Sequence, residues 1–242
     1  MIADGKARMV TTDGHRLAFI EKAIDDAGDT QMDVLIPKKA LTELVKISRD
    51  SDGEVQFGED QNHIYFQTGG RLLITRKLSG NFPNYEMVMP KDNDKTVVFD
   101  LTEMKNAVRR ISLMADERNR SIRMTVRKEE VEITAQSSEE GEGQEFVTAD
   151  YSGDEEITLG FNWQYLQEFL NNVGALENAG SDSATSATPE TKETDGDKVR
   201  VKETKGSTRI SFEFKDANAA TQIRIAGDTA YDYKYIVMPL RI

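Results

Sequence analysis

An aspartate and a histidine two positions apart, Asp13 and His15 in the stretch TTDGHRLA (11–18), are the residues of this chain whose types most suggest acid–base chemistry. Such a pair activates a hydroxyl or a thiol when a nucleophile and an oxyanion-binding turn stand beside it. Neither companion is legible, since the chain has no G-x-S-x-G element and no cysteine. The simpler reading is conformational. Asp13 suits the first place of a two-residue hairpin turn, Gly14 supplies the positive φ it needs, and His15 and Arg16 lead into the next strand.

Metal and phosphate chemistry find no better support. His63, the other histidine, sits in a strand pattern without a partner at ligand spacing. The acidic run SSEEGEGQE (137–145) lacks the fixed oxygen-ligand positions of a calcium loop. Gly69 and Gly70 precede a strand, not a helix, so they do not form a phosphate cradle. The expectation is a protein with no metal, no cofactor and no enzymatic activity.

Charge is more informative. With 43 acidic and 31 basic residues the net charge is -12, which argues against a surface that binds nucleic acid everywhere. Positive charge is instead concentrated in two segments, each with a local sum of +3. Residues 37–49 carry Lys38, Lys39, Lys46 and Arg49 against Glu43, and residues 100–127 carry seven basic residues against four acidic. At helical spacing Lys39 and Lys46 lie two turns apart, while Lys105, Arg109 and Arg110 lie away from the apolar face of a second helix. These are either solvated helix faces or contacts for phosphates read without regard to base sequence. The opening residues form no apolar leader, and no run reaches the roughly 20 apolar residues needed to span a bilayer. Together with the absence of cysteine, this fits a cytoplasmic protein.

Three segments follow one plan of a strand, a helix and then strands, which predicts an α+β fold of repeated units with antiparallel sheets packed on helices. The first runs from DVLIP through KKALTELVKI to RLLITRK, and the second from KTVVFD through LTEMKNAVRRISLM to EFVTADY. The third runs from EITLGF through NWQYLQEFLNNVG to TQIRIAG. Leu101, Met104, Val108 and Ile111, and again Trp163, Leu166, Leu170 and Val173, recur at intervals of three or four and mark the buried helix faces. Residues 1–20 offer only hairpin material, read as the end of a unit whose beginning is absent. The boundary is placed between 1–95 and 96–242. The Ser/Thr-rich, aperiodic stretch at 178–198 is read as a disordered insertion.

Three stretches, TTDGHRLA, LSGNFPNYEMVMP and the terminal YIVMPLRI, together resemble the bacterial sliding clamp family, the beta subunit of DNA polymerase III. The resemblance implies repeated units with helices on the inner side of a ring and sheets outside, and a processivity factor that tethers polymerase to duplex DNA. It implies that residues 1–95 are the later part of a middle domain and 96–242 a third domain. It further implies a hydrophobic cleft for partner peptides, lined by Thr12, Gly14, His15, Arg16 and Leu17, by Pro83, Met87 and Val88, and by Val237, Met238, Pro239, Leu240 and Arg241. Lys38, Lys39, Lys46, Arg49, Lys105, Arg109 and Arg110 would then meet DNA. The partners implied are duplex DNA, the replicative polymerase and other clamp-binding peptides, and the clamp loader. The full-length family forms a ring homodimer, and a chain lacking the first domain is expected not to close that ring. The alternative is a peptide-docking adaptor that has lost ring closure and DNA encirclement.

The composition of 178–198 carries a prediction. Deleting the segment should change the free energy of unfolding by less than about 2 kcal/mol in urea denaturation, because it has too little apolar surface to support a core.

Overall fold

The computed structural model describes residues 1–24, 30–49, 54–181, 207–227 and 229–241. The chain divides into two compact units, one formed by Met1–Met9 with Glu21–Val88 and one by Val10–Ile20 with Met89–Ile242.

The first unit begins with β1 (Ile2–Ala3), which pairs with the base of β2 (Lys6–Thr12); the chain returns in β3 (Arg16–Ala23). Glu21 on β3 accepts from Lys6 and Arg8 on β2 at 2.8 and 2.5 Å, and Arg8 also donates to the Tyr85 hydroxyl at 3.2 Å. Helix α1 (Lys38–Arg49) packs on an antiparallel sheet of β4 (Gln56–Glu59), β5 (His63–Thr68) and β6 (Arg71–Arg76). Period two decides which side chains face inward: Ile64 and Phe66 are buried, with the Phe66 ring 5.1 Å from that of Phe57. The opposite face of β6 leaves Leu72 and Ile74 in water, 59% and 54% exposed.

The second unit contains two interlocked repeats. The first comprises β7 (Lys95–Asp100), α2 (Leu101–Ile111), β8 (Ser121–Val126), β9 (Glu130–Ser137) and β10 (Gly141–Tyr151). The second comprises β11 (Ile157–Asn162), α3 (Trp163–Ser181), β12 (Arg209–Phe214), β13 (Thr221–Ile225) and β14 (Asp232–Val237). Each repeat lends its first strand to the other. β7 pairs with β12, from Arg209 opposite Asp100 to Phe214 opposite Lys95, while β11 pairs with β8, from Ile157 opposite Val126 to Asn162 opposite Ser121. The order β14-β13-β12-β7-β10-β9-β8-β11 is antiparallel at every pairing, as the α+β reading expects.

Both helices bury the faces that their spacing marks. Leu101, Met104, Val108 and Ile111 on α2, and Leu166, Leu170 and Val173 on α3, are buried, with Trp163 packed at the margin of the core. The Asp100 carboxylate caps α2 by accepting from the Glu103 N–H at 2.8 Å. Helix α3 runs past Gly174 to Ser181, further than its apolar spacing suggests, because Ala175, Leu176 and Glu177 are strong helix formers that outweigh one interior glycine. The backbone at 178–181 is therefore helical, and the rest of the insertion expected at 178–198 lies outside the described residues. Among the described residues no helix is long and apolar enough to cross a membrane.

Phe212 stands at the centre of this core. Its ring makes edge contacts with Phe99 on β7 at 4.9 Å and Phe161 on β11 at 6.1 Å, so it touches both exchanged strands. Phe212→Ala should cost about 3–5 kcal/mol of stability in urea denaturation, more than any truncation of an exposed side chain.

Candidate functional site

The hairpin tip between β2 and β3 belongs to the second unit. Its loop is Asp13-Gly14-His15, three residues where the dipeptide Asp13-Gly14 predicts two. The reason is local. One Asp13 carboxylate oxygen accepts from the N–H groups of both His15 and Arg16 at 3.1 Å, which draws His15 into the turn. Gly14 has φ of 87°, and the Thr12 hydroxyl donates across the neck to the Arg16 carbonyl at 2.8 Å. Asp13 thus serves the turn: its second oxygen accepts from Arg16 Nε at 3.0 Å. Burial pulls the Asp13 carboxyl upward, but the donors on His15 and Arg16 outweigh this and hold it below its ordinary value.

Arg16 joins three elements. Its Nη1 donates to Glu168 on α3 at 2.7 Å and to the Tyr235 hydroxyl on β14 at 3.0 Å, and its guanidinium lies over the Tyr165 ring at 4.3 Å. The Tyr235 hydroxyl passes the connection on by donating to the Tyr165 carbonyl at 3.1 Å. Burial, opposed by Arg16, pushes the Tyr235 phenol up to about 12, so it remains a neutral donor. Burial acts against the charged form of Arg16 as well, but its bonds to Glu168, Tyr235 and Asp13 hold its pKa above the ordinary value.

The chain end docks on the same tip. Met238 N–H donates to the His15 carbonyl at 3.0 Å, and Leu240 N–H donates to the Gly160 carbonyl on β11 at 2.8 Å. Thr12, Gly14 and the His15 side chain are exposed, Met238 is 44% exposed, Pro239 and Leu240 are half-buried, and Arg241 is exposed. Leu17 and Val237 are buried and support this surface from beneath. Pro83, Met87 and Val88 belong to the first unit, where a short 3-10 turn over Tyr85–Met87 leaves Met87 82% exposed.

The basic residues divide in the same way. Lys38, Lys39, Lys46 and Arg49 are exposed on α1 in the first unit, with Lys46 paired to Glu43 at 2.9 Å. On α2 in the second unit Lys105 is half-buried and Arg109 exposed, while Arg110 forms a two-pronged pair with Glu145 at 2.7 Å. Spacing alone misses the roles of Glu168, Tyr165 and Tyr235, whose partner Arg16 is remote in sequence. The clustering of His, Asp and Glu needed for a metal ion does not occur among the described residues.

Two family models match the chain: the central domain of the DNA polymerase III beta subunit over residues 1–84 and its C-terminal domain over residues 86–179. The beta sliding clamp of Pseudomonas aeruginosa is 32% identical over 238 residues, which is 98% of this chain and 55% of that protein. The crystal structure of the DNA polymerase III subunit beta from the same organism aligns with a TM-score of 0.80 at 28% identity, over 100% of this chain and 56% of that one. A sliding clamp from Pseudomonas aeruginosa bound to griselimycin aligns with a TM-score of 0.78 at 27% identity, again over 100% and 56%. The chain spans about half the length of the relatives it matches.

The turn carries a pH prediction. A carboxyl held below its unfolded value stabilises the fold above that value, and the contribution is lost as pH falls through the folded value. Asp13→Asn should therefore lower Tm at pH 7, and the difference from the unaltered protein should vanish as both are measured at successively lower pH through the carboxylate range. A difference independent of pH would mean that the charge of Asp13 does not hold the turn.

Proposed function

Because the chain belongs to the DNA polymerase III beta subunit family, we propose that it acts as part of a sliding clamp, tethering polymerase to duplex DNA and docking partner peptides. In this reading residues 1–95 are the later part of a central domain, 96–242 are the C-terminal domain, and the mechanism is topological, with no bond made or broken. One observation carries the peptide-docking part. The exposed Met238 is held against the hairpin tip by its hydrogen bond to His15, so an apolar side chain is fixed in water beside a rigid turn. Methionine suits such a lining because its unbranched, polarisable side chain adapts to several related ligands.

The peptide surface comprises Thr12, Gly14, His15 and Arg16 at the tip and Met238, Pro239, Leu240 and Arg241 in the tail, with Leu17 and Val237 supporting it. In the first unit, Pro83, Met87 and Val88 are proposed as peptide contacts in their own right. Lys38, Lys39, Arg49, Lys105 and Arg109 are the proposed phosphate contacts, which position DNA without reading it and so permit sliding. Lys46 and Arg110 join them more weakly, because Glu43 and Glu145 already neutralise them. Those two pairings favour the second reading, a peptide-docking adaptor without DNA encirclement. Retention on circular DNA separates the two.

Removing Met238–Ile242 should abolish calorimetric binding of a peptide taken from the clamp-binding segment of a replicative polymerase, with griselimycin as a second probe. Each buried apolar side chain supplies about 1.5–3 kcal/mol, so losing Met238 and Leu240 together removes most of a weak affinity. His15→Ala should weaken binding less. Circular dichroism confirms folding of both variants, and unchanged affinity after tail removal would overturn the assignment.

A further inference from the structure

The sequence has no cysteine, so all of its sulfur is carried by nine methionines, and these are not equally open to water. Met104 and Met124 are fully buried in the core of the second unit, while Met32, Met89 and Met114 are half-buried. Met1, Met9 and Met87 in the first unit are exposed, and Met238 is the exposed methionine of the second. The backbone keeps it there. Val237 immediately before it enters the core, and beyond it the N–H groups of Met238 and Leu240 are held by the His15 and Gly160 carbonyls, so the Met238 side chain cannot be drawn inward without breaking those bonds.

A thioether fixed in water has a chemistry that an aliphatic side chain in its place would lack. A sulfur lone pair attacks one oxygen of hydrogen peroxide, an S–O bond forms as the O–O bond breaks, and the departing hydroxide takes the proton of the transferred oxygen to become water. The sulfur gives up two electrons and the peroxide gains them. The product, methionine sulfoxide, is polar where the thioether was apolar, and reductases specific for each sulfoxide epimer return it to methionine. Covering a polar S–O group with an apolar ligand that offers it no hydrogen bond costs free energy, so a surface that gained from burial of Met238 comes to oppose it.

We infer that Met238 is an oxidation site, whose conversion to the sulfoxide by a peroxide releases peptides from the tail surface until reduction restores the thioether. The inference rests on the peptide-docking reading and adds a reversible control to it. The distribution of methionines favours control over damage. Met104 and Met124, whose oxidation would place a polar group in the core, are out of reach of solvent, whereas the reactive sulfur of the second unit stands at the ligand surface on backbone that is already hydrogen-bonded. Oxidation there alters the surface and leaves the fold in place.

The test treats the protein with hydrogen peroxide, removes the oxidant, maps the modified residues by mass spectrometry and titrates calorimetrically with a methionine-free peptide from the clamp-binding segment of a replicative polymerase. Met238 should gain one oxygen before Met104 or Met124 does, with an unchanged circular dichroism spectrum. Affinity should fall about tenfold, the effect of losing one buried apolar side chain, and treatment with both classes of methionine sulfoxide reductase should restore it. Met238→Leu, compared with itself before and after peroxide, should show no fall, although Met1, Met9 and Met87 remain open to oxidation in it. Met238→Gln, which puts a polar side chain of similar length at this position, should bind weakly with no oxidant present. Failure of the untreated protein to bind the peptide would overturn the docking reading and this inference with it. Binding that survives oxidation of Met238, an equal fall in Met238→Leu, undiminished binding by Met238→Gln, or a loss that the reductases do not reverse would overturn this inference alone.

Discussion

The exchange of first strands between the two repeats is the constraint on which the second unit depends. β7 pairs with β12 of the other repeat, and β11 pairs with β8. Neither repeat can bury its sheet alone, because the strand that completes each belongs to the other. The fold therefore joins residues more than a hundred positions apart, as with Phe99 and Phe212, and gives both helices one shared core. The same exchange sets the location of the chain end. β14 follows β13 and β12 outward from β7, so the tail emerges where the hairpin tip closes the series of strands.

Arg16 converts that placement into a rigid site. Its side chain makes three hydrogen bonds, to Asp13, Glu168 and Tyr235, while its plane covers Tyr165. A lysine has three donors on a flexible stem and no planar face to stack, so it could not satisfy a turn, a helix and a strand in these directions together. The acid–base appearance of the TTDGHRLA stretch disappears for the same reason. Both Asp13 oxygens are committed to the turn and to Arg16, and the group that His15 contributes to the tail contact is its carbonyl, not its ring.

Much of this was legible in the sequence because it is local. The spacing of Leu101, Met104, Val108 and Ile111 identifies the buried face of α2, and the alternation in Ile210, Phe212 and Phe214 identifies a strand whose inward side chains reach the core. What was not legible depends on partners distant in sequence. Val237 reads as part of an apolar tail, but β13 and β14 pair so that it enters the core. Phe169 falls between the marked positions of α3 and is nonetheless fully buried, because Tyr233 stacks and Tyr235 packs at a tilt against it from β14. The charge of Arg110 is plain in the sequence, whereas its neutralisation by Glu145 follows only from the pairing of α2 with β10.

The tail holds an arrangement in which stability and binding pull in opposite directions. An exposed methionine gains nothing for the isolated fold, and the hydrophobic effect alone would turn Met238 inward. It is held in water by its backbone: Met238 and Leu240 donate to His15 and Gly160, and the proline between them needs no donor and restricts its own φ. Two ordinary hydrogen bonds, each worth about 0.5–1.5 kcal/mol, offset an apolar exposure of similar size, so the surface is pre-formed at little cost in stability. A ligand that covers Met238 then meets a side chain whose backbone is already ordered, and burial appears as affinity without a prior folding step.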